Sequence, residues 1–401
     1  MPNILTDKKI VLGVTGSIAC YKAVDLASKL KQAGALVEVI LTESAQKFLS
    51  PLSFNSITHQ PVVTSLFDTN SEAGINHVAL ARRADIVVVA PATANTIAKI
   101  AHGQADDALG TTILATEAPI MVCPAMDGNM YESPATQANI KTLKDRDIHL
   151  AGPEVGHLAS GQTGIGRLIE PQRIVSHIRF ILGRDGDLAG KTIVASAGGT
   201  RESLDPVRDI TNRSSGKMGY AIAEAALDRG ASVVLVSTPT NLSPPVGSTV
   251  VLVKNAHDMH EAITIESKNA DVLVMAAAVA DWQPVRSSGQ KIKKSDKETW
   301  AVELTQTPDI IASVSSEGLI KVGFAAETES ILQNAETKMK SKNLDIVVAN
   351  DVSSEQSGFG SDNNDVTIID RLGRVEETGL LSKYDVAWQI LDRALDFMKA
   401  I

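Results

Sequence analysis

The sequence predicts an α/β protein made of two doubly wound, Rossmann-like domains. An apolar run, a glycine turn and a helical repeat follow one another twice, once near residue 10 and again near residue 193. At roughly 150 residues per domain, the 401-residue chain has room for two or three domains. Its apolar residues are mostly aliphatic, with 3% aromatic residues, which suits buried parallel strands packed against helices.

The first of these repeats opens the chain. Residues 8–17 (KKIVLGVTGS) combine a charged start, an apolar run and a glycine turn, the pattern of a buried strand. A helix is predicted over 18–33 and ends at Gly34. Its apolar residues at helical spacing are Ile18, Tyr21, Val24, Leu26 and Leu30. Residues 36–41 (LVEVIL) are the next predicted strand, so this segment is a predicted βαβ unit.

The second repeat begins at residues 191–199 (KTIVASAGG), a strand followed by a glycine turn. A helix is predicted from about Lys217 to Arg229, Gly230 ends it, and residues 232–237 (SVVLVS) form the next strand. Two such openings in one chain predict two separate doubly wound domains.

A segment rich in glycine and aspartate, GRDGDLAG at 183–190, lies between the two repeats. We therefore predict an N-terminal domain over residues 1–183 and a C-terminal domain over 190–401. The other predicted strands are 85–90, 119–125, 271–277, 345–350 and 366–370, and further helices are predicted at 172–182 and 382–400.

Composition and charge argue against several classes of protein. The formal net charge is -9 and no basic stripe is present, which argues against a nucleic-acid partner. Cys20 and Cys123 are too far apart in sequence for a disulfide framework or a zinc site. The first residues lack a signal-peptide pattern, and no apolar run approaches the roughly 20 residues that span a bilayer. We expect a cytoplasmic protein without a membrane partner.

Polar residues follow two predicted strands of the first half. Gly16 and Ser17 end the first strand and open a helix, where free N–H groups attract phosphate. The sequence PATANT, 91–96, follows the strand at 85–90. The residues alone leave two readings open, a site for a planar phosphorylated ligand or ordinary polar loops. His77, which precedes that strand, is by itself either a capping residue or a proton-exchanging group.

Together with PAMDGNMY at 124–131, these motifs resemble the flavin-dependent cysteine decarboxylases over about residues 8–180. That family includes phosphopantothenoylcysteine decarboxylases and lantibiotic peptide decarboxylases. The resemblance implies a trimeric Rossmann-like domain that binds FMN through Gly16, Ser17, Thr42, Ala92, Thr93 and Asn95. It also implies a catalytic role for His77 and contact of Met130 with substrate. In the family reaction the cysteine thiol is oxidised with FMN, CO2 leaves, and the electrons return to the enethiol.

Two residues depart from the pattern of this family. Asp127 stands where the family usually has asparagine, and its carboxylate would disfavour a substrate carboxylate unless it is protonated or paired. Ser160, in the lid-like segment 156–167, stands where the lid commonly carries a proton-donating cysteine. A hydroxyl is a much weaker acid than a thiol. We therefore treat both positions as catalytic candidates and expect that the final reduction uses another donor, is slow, or fails.

The second half contains a dense motif after its first strand. Residues 198–219 (GGTRESLDPVRDITNRSSGKMG) combine glycines, hydroxyls and basic side chains that can surround phosphates, without the spacing of a P-loop. A basic surface loop is the alternative. Later motifs are AAAVADW at 276–282, KIKK at 291–294, TPDII at 307–311, GFAAET at 323–328 and KMKSKNLDIVVAND at 338–351.

Taken together, these motifs resemble the phosphopantothenate–cysteine ligases over about residues 190–398. Fusion behind a flavin domain is the arrangement of the bacterial bifunctional enzymes of coenzyme A synthesis. The resemblance implies that phosphopantothenate attacks CTP to give an acyl-cytidylate and pyrophosphate, and that cysteine then displaces CMP. The residues implied to contact CTP are Asp281, Lys291, Pro308, Asp309, Ile310, Ile311, Phe324, Lys338 and Lys342.

The resemblance also assigns roles in the ligase reaction. Lys291 would stabilise charge on the α-phosphate, Asn212 would hold the acyl-cytidylate, and Arg208 would bind the substrate phosphate or carboxylate. Ala277 and Ala278 would offer close backbone approach. Mg2+ is expected with the triphosphate, with no ligands assigned. Trimeric flavin domains and dimeric ligase domains would combine into a homo-oligomer, a dodecamer in the simplest case.

Two other functions remain open from the sequence. The chain is either a ligase whose flavin domain is impaired at Asp127 and Ser160, or a flavin-binding scaffold or regulatory protein. A scaffold would not require the glycines, hydroxyls and basic side chains that can surround phosphates in the second half. A nicotinamide dehydrogenase is disfavoured because neither glycine turn reads GxGxxG.

Overall fold

A computed structural model describes residues 3–66, 76–293, 299–327, 331–351 and 360–400 of the protein. The chain divides into two compact units, Met1–Leu182 and Gly183–Ile401. Lys294 of the KIKK motif and Thr328 of the GFAAET motif lie outside the described residues. Among the helices of the described ranges, none combines the length and apolar character that a membrane span requires.

The strands of the first unit alternate with helices. The strands are β1 (Lys9–Val14), β2 (Leu36–Leu41), β3 (Ile86–Ala92), β4 (Ile120–Pro124), β5 (His149–Leu150), β6 (Glu154–His157) and β7 (Thr163–Arg167). A 3-10 turn, Ile18–Cys20, precedes the first helix. The helices are α1 (Tyr21–Gln32), α2 (Glu43–Gln46), α3 (Pro51–Thr58), α4 (Asn76–Arg83), α5 (Ala94–His102), α6 (Ala108–Ala115), α7 (Gly128–Glu132), α8 (Pro134–Asp145) and α9 (Pro171–Gly183).

In the described part of the first unit, a parallel sheet has the order β2-β1-β3-β4-β5. Alternate residues of β1 enter two cores: Ile10 and Leu12 pack on one face, Val11 on the other. Both faces are buried, which explains the nearly continuous apolar runs of the strands. The strand order reverses between β1 and β3, and ligands of open α/β sheets bind at such a switch point.

Beyond this sheet, β6 and β7 pair as an antiparallel hairpin. The hairpin contains most of the segment 156–167 that the sequence identifies as lid-like. Its base joins the segment that follows β4, because the Met126 N–H donates to the Gly166 carbonyl at 3.0 Å.

The second unit has a longer set of elements. The strands are β8 (Thr192–Ala197), β9 (Arg201–Ser203), β10 (Asp209–Thr211), β11 (Ser232–Ser237), β12 (Thr249–Leu252), β13 (Val272–Met275), β14 (Trp282–Pro284), β15 (Leu304–Gln306), β16 (Ile320–Glu327), β17 (Ile346–Asp351), β18 (Asn363–Asp370) and β19 (Val375–Ser382). The helices are α10 (Lys217–Asp228), α11 (Ala256–Glu266), α12 (Ile310–Ser313), α13 (Ile331–Lys342) and α14 (Lys383–Ala400), with a 3-10 turn at Ser267–Asn269.

In the described part of the second unit, the main sheet has the order β12-β11-β8-β13-β16-β17-β18-β19. The strands from β12 to β17 are parallel, and β18 and β19 add an antiparallel edge. Numbered within the parallel part, the order is 3-2-1-4-5-6, that of the Rossmann fold. Its switch point lies between β8 and β13. Two short antiparallel pairs, β9 with β10 and β14 with β15, lie outside this sheet.

The predicted α/β fold with two doubly wound sheets is confirmed. Some local predictions differ from the structure. The first helix begins with the 3-10 turn, and Ile18 and Tyr21 are 59% and 62% exposed instead of facing the core. The predicted strand at 366–370 begins earlier, as β18, and β19 was not predicted. Residues of β19 are mainly exposed and its apolar residues do not alternate regularly with polar ones, so apolar periodicity gives no signal for it.

The packing of α10 against β8 generates a prediction. A Cβ on Gly219 would lie 2.3 Å from the Ser196 carbonyl oxygen, so Gly219→Ala forces the helix away from the strand. We expect the free energy of unfolding of the second unit to fall by roughly 1–3 kcal/mol, the usual cost of overpacking. Urea unfolding followed by circular dichroism measures it.

Gly289→Ala is the matched control, since a Cβ there meets none of the described atoms within 4 Å. Equal unfolding midpoints for Gly219→Ala and the unmodified chain would contradict the predicted close packing.

Candidate active sites

In the first unit, a buried threonine connects the two strands at the switch point. Thr15, 1% exposed, follows β1. Its hydroxyl donates to the Pro91 carbonyl at 2.7 Å and accepts from the Thr93 N–H at 3.1 Å. The loop after β1 and the end of β3 are therefore held in a fixed relation. Thr15 was not among the predicted site residues, although it lies between the strand and the glycine turn.

The turn after β1 approaches a neighbouring loop closely. A Cβ on Gly16 would lie 2.4 Å from the Cβ of Ser44, so only glycine fits there. The next residue, Ser17, is the N-cap of the 3-10 turn, and its hydroxyl accepts from the Ala19 N–H at 3.3 Å. Both residues are half-buried.

The remaining predicted flavin residues differ in how much of the side chain is accessible. Thr42 and Thr93 are the N-caps of α2 and α5, so their hydroxyls accept from helix N–H groups at the carboxyl edge of the sheet. Asn95 is exposed in the first turn of α5. The side chain of Ala92 is fully buried, and its carbonyl accepts from the Ala125 N–H at 3.0 Å. Ala92 therefore supports the loop after β4 through its backbone carbonyl.

The two departures from the decarboxylase pattern contact each other. The Ser160 hydroxyl donates to Asp127 Oδ2 at 2.8 Å. Asp127 is also the N-cap of α7, because its Oδ1 accepts from the Asn129 N–H at 3.0 Å. Considered separately, each residue weakens the resemblance. The structure brings them together as one hydrogen-bonded pair between α7 and the hairpin.

His77 and Met130 occupy short helices at the same edge of the sheet. His77 is half-buried in the first turn of α4, and α4 leads directly into β3. A helix that precedes a strand in this way starts near the carboxyl ends of the strands. Met130 is 50% exposed on α7, three residues after Asp127.

In the second unit, a cavity of about 770 Å³ opens at the switch point. The predicted residues in its lining are Asn212, Ala277, Ala278, Asp281, Pro308, Asp309, Ile310, Ile311, Phe324, Lys338 and Lys342. Ile310 and Ile311 are 3% and 7% exposed, so they belong to the core as much as to the cavity wall. The lining also includes Lys217, Asn350, Asn364 and Lys383, which the sequence did not single out as site residues.

Buried hydroxyls hold the loop after β13 in place. The Ser196 hydroxyl accepts from the Ala277 N–H at 3.0 Å, and the Thr200 hydroxyl accepts from the Ala280 N–H at 2.9 Å. Both hydroxyl residues are fully buried. The Asn212 amide, in the cavity lining, donates to the Val279 carbonyl at 2.9 Å. The backbone of this loop therefore presents a fixed surface to a ligand.

Lysine side chains approach the cavity from several elements. The Lys338 ammonium donates to the Phe324 carbonyl at 2.8 Å, and Lys342 lies 3.0 Å from Asp309 Oδ2. At the opposite end, Lys217 donates to the Gly360 carbonyl and to Asp362, at 2.8 and 2.7 Å. These contacts orient the ammonium groups before a ligand arrives.

Lys383 completes this set of cations. Its ammonium donates to the Asn363 carbonyl at 2.7 Å. Burial and the nearby Lys217 lower the pKa of Lys383. A cation in these surroundings gains from an anionic ligand, because the ligand opposes the charge of both lysines.

Arg208 and Lys291 are not part of the cavity lining. The Arg208 guanidinium donates to Asp205 and to the Ile292 carbonyl, the latter at 2.7 Å, and stacks on Trp300 at 5.1 Å. Burial opposes ionisation of Asp205, but Arg208 and backbone N–H groups lower its pKa to about 2. The bond to the Ile292 carbonyl places Arg208 beside the segment that carries Lys291, whose side chain is exposed.

The hydroxyl of Thr15 gives a test of the first site. Thr15→Val keeps the shape of the side chain but leaves the Pro91 carbonyl and the Thr93 N–H without their shared partner. We expect the free energy of unfolding of the first unit to fall by about 1–3 kcal/mol. Thr163→Val, at an exposed position of β7, is the control, and urea unfolding compares both variants. Indistinguishable midpoints would show that this hydroxyl does not hold the loops together.

Two family models match the chain. The model described as Flavoprotein matches residues 2–183, and the model described as DNA/pantothenate metabolism flavoprotein C-terminal domain matches residues 188–398. The matched residues include both candidate sites. They bring together a flavoprotein unit and a pantothenate-metabolism unit in one chain.

Relatives extend this similarity over the whole chain. The coenzyme A biosynthesis bifunctional protein CoaBC of Vibrio parahaemolyticus is 42% identical over 398 residues, which cover 98% of this chain and 99% of the relative. The protein of the same name from Bacillus subtilis is 44% identical over 393 residues, 97% of each chain. A crystal structure of the C-terminal domain of a protein of that name is 40% identical and covers 53% of this chain and 98% of its own, with a TM-score of 0.46. Because the similarity spans both units and nearly the full length of the relatives, the chain belongs to the family of coenzyme A biosynthesis bifunctional proteins.

Proposed function

We propose that the chain catalyses two consecutive reactions of coenzyme A synthesis, one in each unit. It is a phosphopantothenate–cysteine ligase and a phosphopantothenoylcysteine decarboxylase. We assign the decarboxylase to residues 1–183 and the ligase to 190–401. The observation that carries the ligase assignment is a lysine-lined cavity in a chain whose formal net charge is -9.

The charge of the cavity supports a triphosphate as co-substrate. Lys217, Lys338, Lys342 and Lys383 line it, against the carboxylates of Asp281 and Asp309. Fixed ammonium groups in a partly enclosed site stabilise charge that builds on a phosphate more strongly than water does. The nucleotide that we propose is CTP, in keeping with the motifs that resemble the CTP-dependent ligases.

The fixed loop after β13 supports a binding site for the acyl group. The Asn212 amide and the backbone of Ala277 and Ala278 face the cavity together. We assign to them the acyl-cytidylate, whose carbonyl carbon cysteine attacks as CMP leaves. Such groups act mainly by holding the reactants in position.

Mg2+ would enter this site with the triphosphate. Among the described residues, no group of three or more metal-ligating side chains occurs. Mg2+ typically keeps several waters and binds through phosphates with one or two carboxylates. Asp281, exposed in the cavity wall, is the carboxylate that we propose for this contact. The ion would offset phosphate charge.

The crevice of the first unit fits FMN as the flavin. FMN binds at the switch point of flavodoxin-like sheets, which have the same 2-1-3-4-5 strand order. We assign the turn at Gly16, which packs closely on Ser44, to the phosphate, and the exposed Asn95 amide offers hydrogen bonds to the ring edge. Bound FMN would take two electrons from the substrate thiol and return them later. We assign to His77 the exchange of a proton with the substrate.

The surface with Arg208 and Lys291 supports an assembly in which units share sites. Neither residue lines the cavity of its own chain, yet the motifs assign both to the ligase reaction. We propose that ligase units pair so that this surface of one copy completes the cavity of the other. The exposed apolar side chains of Ile18, Tyr21, Phe48 and Leu52 in the first unit agree with a trimeric flavin domain.

The overall activity has a direct test. Purified chain, phosphopantothenate, cysteine, CTP and Mg2+ are incubated together, and mass spectrometry follows the products. We expect a yellow protein, CO2 release and accumulation of phosphopantetheine. Accumulation of phosphopantothenoylcysteine without CO2 would leave a ligase with an impaired flavin unit. Absence of any cysteine adduct with every nucleotide would overturn the ligase assignment.

Lys338 tests the cavity itself. Lys338→Gln removes one charge from the lining, and we expect kcat/KM for CTP to fall by roughly 10- to 100-fold, since a charge-assisted hydrogen bond is worth about 1.5–3 kcal/mol. Lys340→Gln, an exposed lysine of the same helix, is the control. Preformed phosphopantothenoylcysteine measures the decarboxylase separately, and its rate stays unchanged in both variants. Equal kcat/KM values for the two variants would exclude the cavity as the CTP site.

A further inference from the structure

Decarboxylation requires a proton donor in the first unit. When CO2 leaves the former cysteine, its α-carbon must gain one proton before phosphopantetheine can form. The donor must lie near the crevice and must be an acid that regains its proton from water. The identity of this group rests on the proposed decarboxylase function and deepens it.

Neither thiol of the chain is suited to this step. Cys20 and Cys123 are the only cysteines in the sequence, and they are 1% and 0% exposed. Burial raises the pKa of both thiols. Both side chains belong to the same apolar core. They have the position and the weak acidity of structural cysteines.

The pair of Asp127 and Ser160 has the geometry that the step requires. Ser160 Oγ and Asp127 Oδ2 are 2.8 Å apart. Asp127 follows β4, which neighbours β3 in the sheet, so the pair lies at the carboxyl edge where the flavin crevice opens. Ser160 is exposed at the tip of the hairpin, so its hydroxyl is accessible to a substrate.

The backbone fixes this pair independently of its hydrogen bond. Gly166 has a φ of +132°, and a Cβ there would lie 2.1 Å from the Met126 carbonyl oxygen. Only glycine permits the close contact in which the Met126 N–H donates to the Gly166 carbonyl. At the tip, the Gly161 N–H donates to the Leu158 carbonyl at 3.0 Å and turns the chain at Ser160.

We propose that Asp127 and Ser160 together are the proton donor of the decarboxylase, the carboxyl group supplying the proton and the hydroxyl delivering it to the α-carbon. A hydroxyl alone is too weak an acid for this step, whereas a carboxyl group is far stronger.

Loss of CO2 leaves an enethiolate, whose carbon–carbon double bond supplies the electron pair for a new C–H bond at the α-carbon. The O–H bond of Ser160 breaks and is restored by the proton of Asp127, while the sulfur-bearing carbon becomes a thioaldehyde. The two electrons removed from the thiol at the start return to that carbon as a hydride. Asp127 regains its proton from water.

The test measures, for each variant, the ratio of the two products into which the reaction intermediate is converted. With preformed phosphopantothenoylcysteine, the completed reaction gives phosphopantetheine, whereas failure of proton delivery releases the enethiol, which is lighter by two hydrogens. Mass spectrometry gives their ratio, which is independent of enzyme concentration and flavin loading. We expect Ser160→Ala and Asp127→Asn each to raise the enethiol share by roughly 100-fold, the usual size of a general-acid contribution.

The variants distinguish the loss of the acidic group from a disturbance of the fold. Asn caps helices as well as Asp does, so Asp127→Asn keeps the start of α7 and removes only the acid. Ser160→Cys introduces a thiol that is itself an acid, and we expect it to restore phosphopantetheine even in combination with Asp127→Asn. Gln162→Ala at the hairpin tip and Glu132→Gln at the end of α7 are exposed controls that keep the original ratio.

A second readout does not depend on catalysis. In flavin-free protein, we expect hydrogen exchange of the amides at 158–163 to quicken in Ser160→Ala, because the hairpin tip loses its bond to Asp127. The same amides in Gln162→Ala exchange as in the unmodified chain. Equal exchange in both variants would show that the bond is absent in solution and would overturn the proposal.

The outcomes distinguish this proposal from the function on which it rests. An unmodified chain that makes phosphopantetheine, together with unchanged product ratios in Ser160→Ala and Asp127→Asn, would overturn the proton-donating pair and leave the decarboxylase standing. A change in Asp127→Asn alone would overturn the role of the hydroxyl. An unmodified chain that releases no CO2 would overturn the decarboxylase function and this inference with it.

Discussion

A buried hydroxyl spans the switch point of each sheet, and both candidate sites depend on it. In the first unit, Thr15 after β1 accepts a hydrogen bond from the N–H of Thr93 after β3. In the second unit, Ser196 of β8 accepts from the N–H of Ala277 after β13. An unpaired N–H at these partly buried positions would cost free energy, so the hydroxyls fix loops that would otherwise be free to move. The loops at neighbouring strand ends are thereby rigid, and a ligand can bind between them.

Rigid loops allow an acidic protein to build a positive cavity. Lys217, Lys338 and Lys383 each donate to a backbone carbonyl, so their ammonium groups are oriented by the fold. Four lysines and two aspartates line the cavity, so the formal net charge of -9 does not describe the local field. Preorganised charges of this kind require little rearrangement when a phosphorylated ligand binds.

In the first unit, the unusual residues Asp127 and Ser160 are explained better as a pair than as two separate departures from the family pattern. Asp127 in place of an amide and Ser160 in place of a thiol both appear unfavourable when each position is considered alone. Their hydrogen bond joins α7 to the hairpin, and a carboxyl group next to a hydroxyl offers acid chemistry that neither asparagine nor an isolated serine has. The close contact of Met126 with Gly166 holds the two elements at the distance that this pair needs.

The sequence by itself determined the fold class, because apolar runs and helical repeats report the local periodicity of buried strands and helices. It also predicted site residues such as Gly16, Thr93 and Asn212, which follow or precede strands in recognisable motifs. Only the tertiary structure decided which distant residues meet. Thr15 and Thr93 are 78 positions apart, and Ser196 and Ala277 are 81 apart. Pairing across strands, the bond between Asp127 and Ser160, and the position of Arg208 and Lys291 outside the cavity depend on chain topology, which local periodicity does not encode.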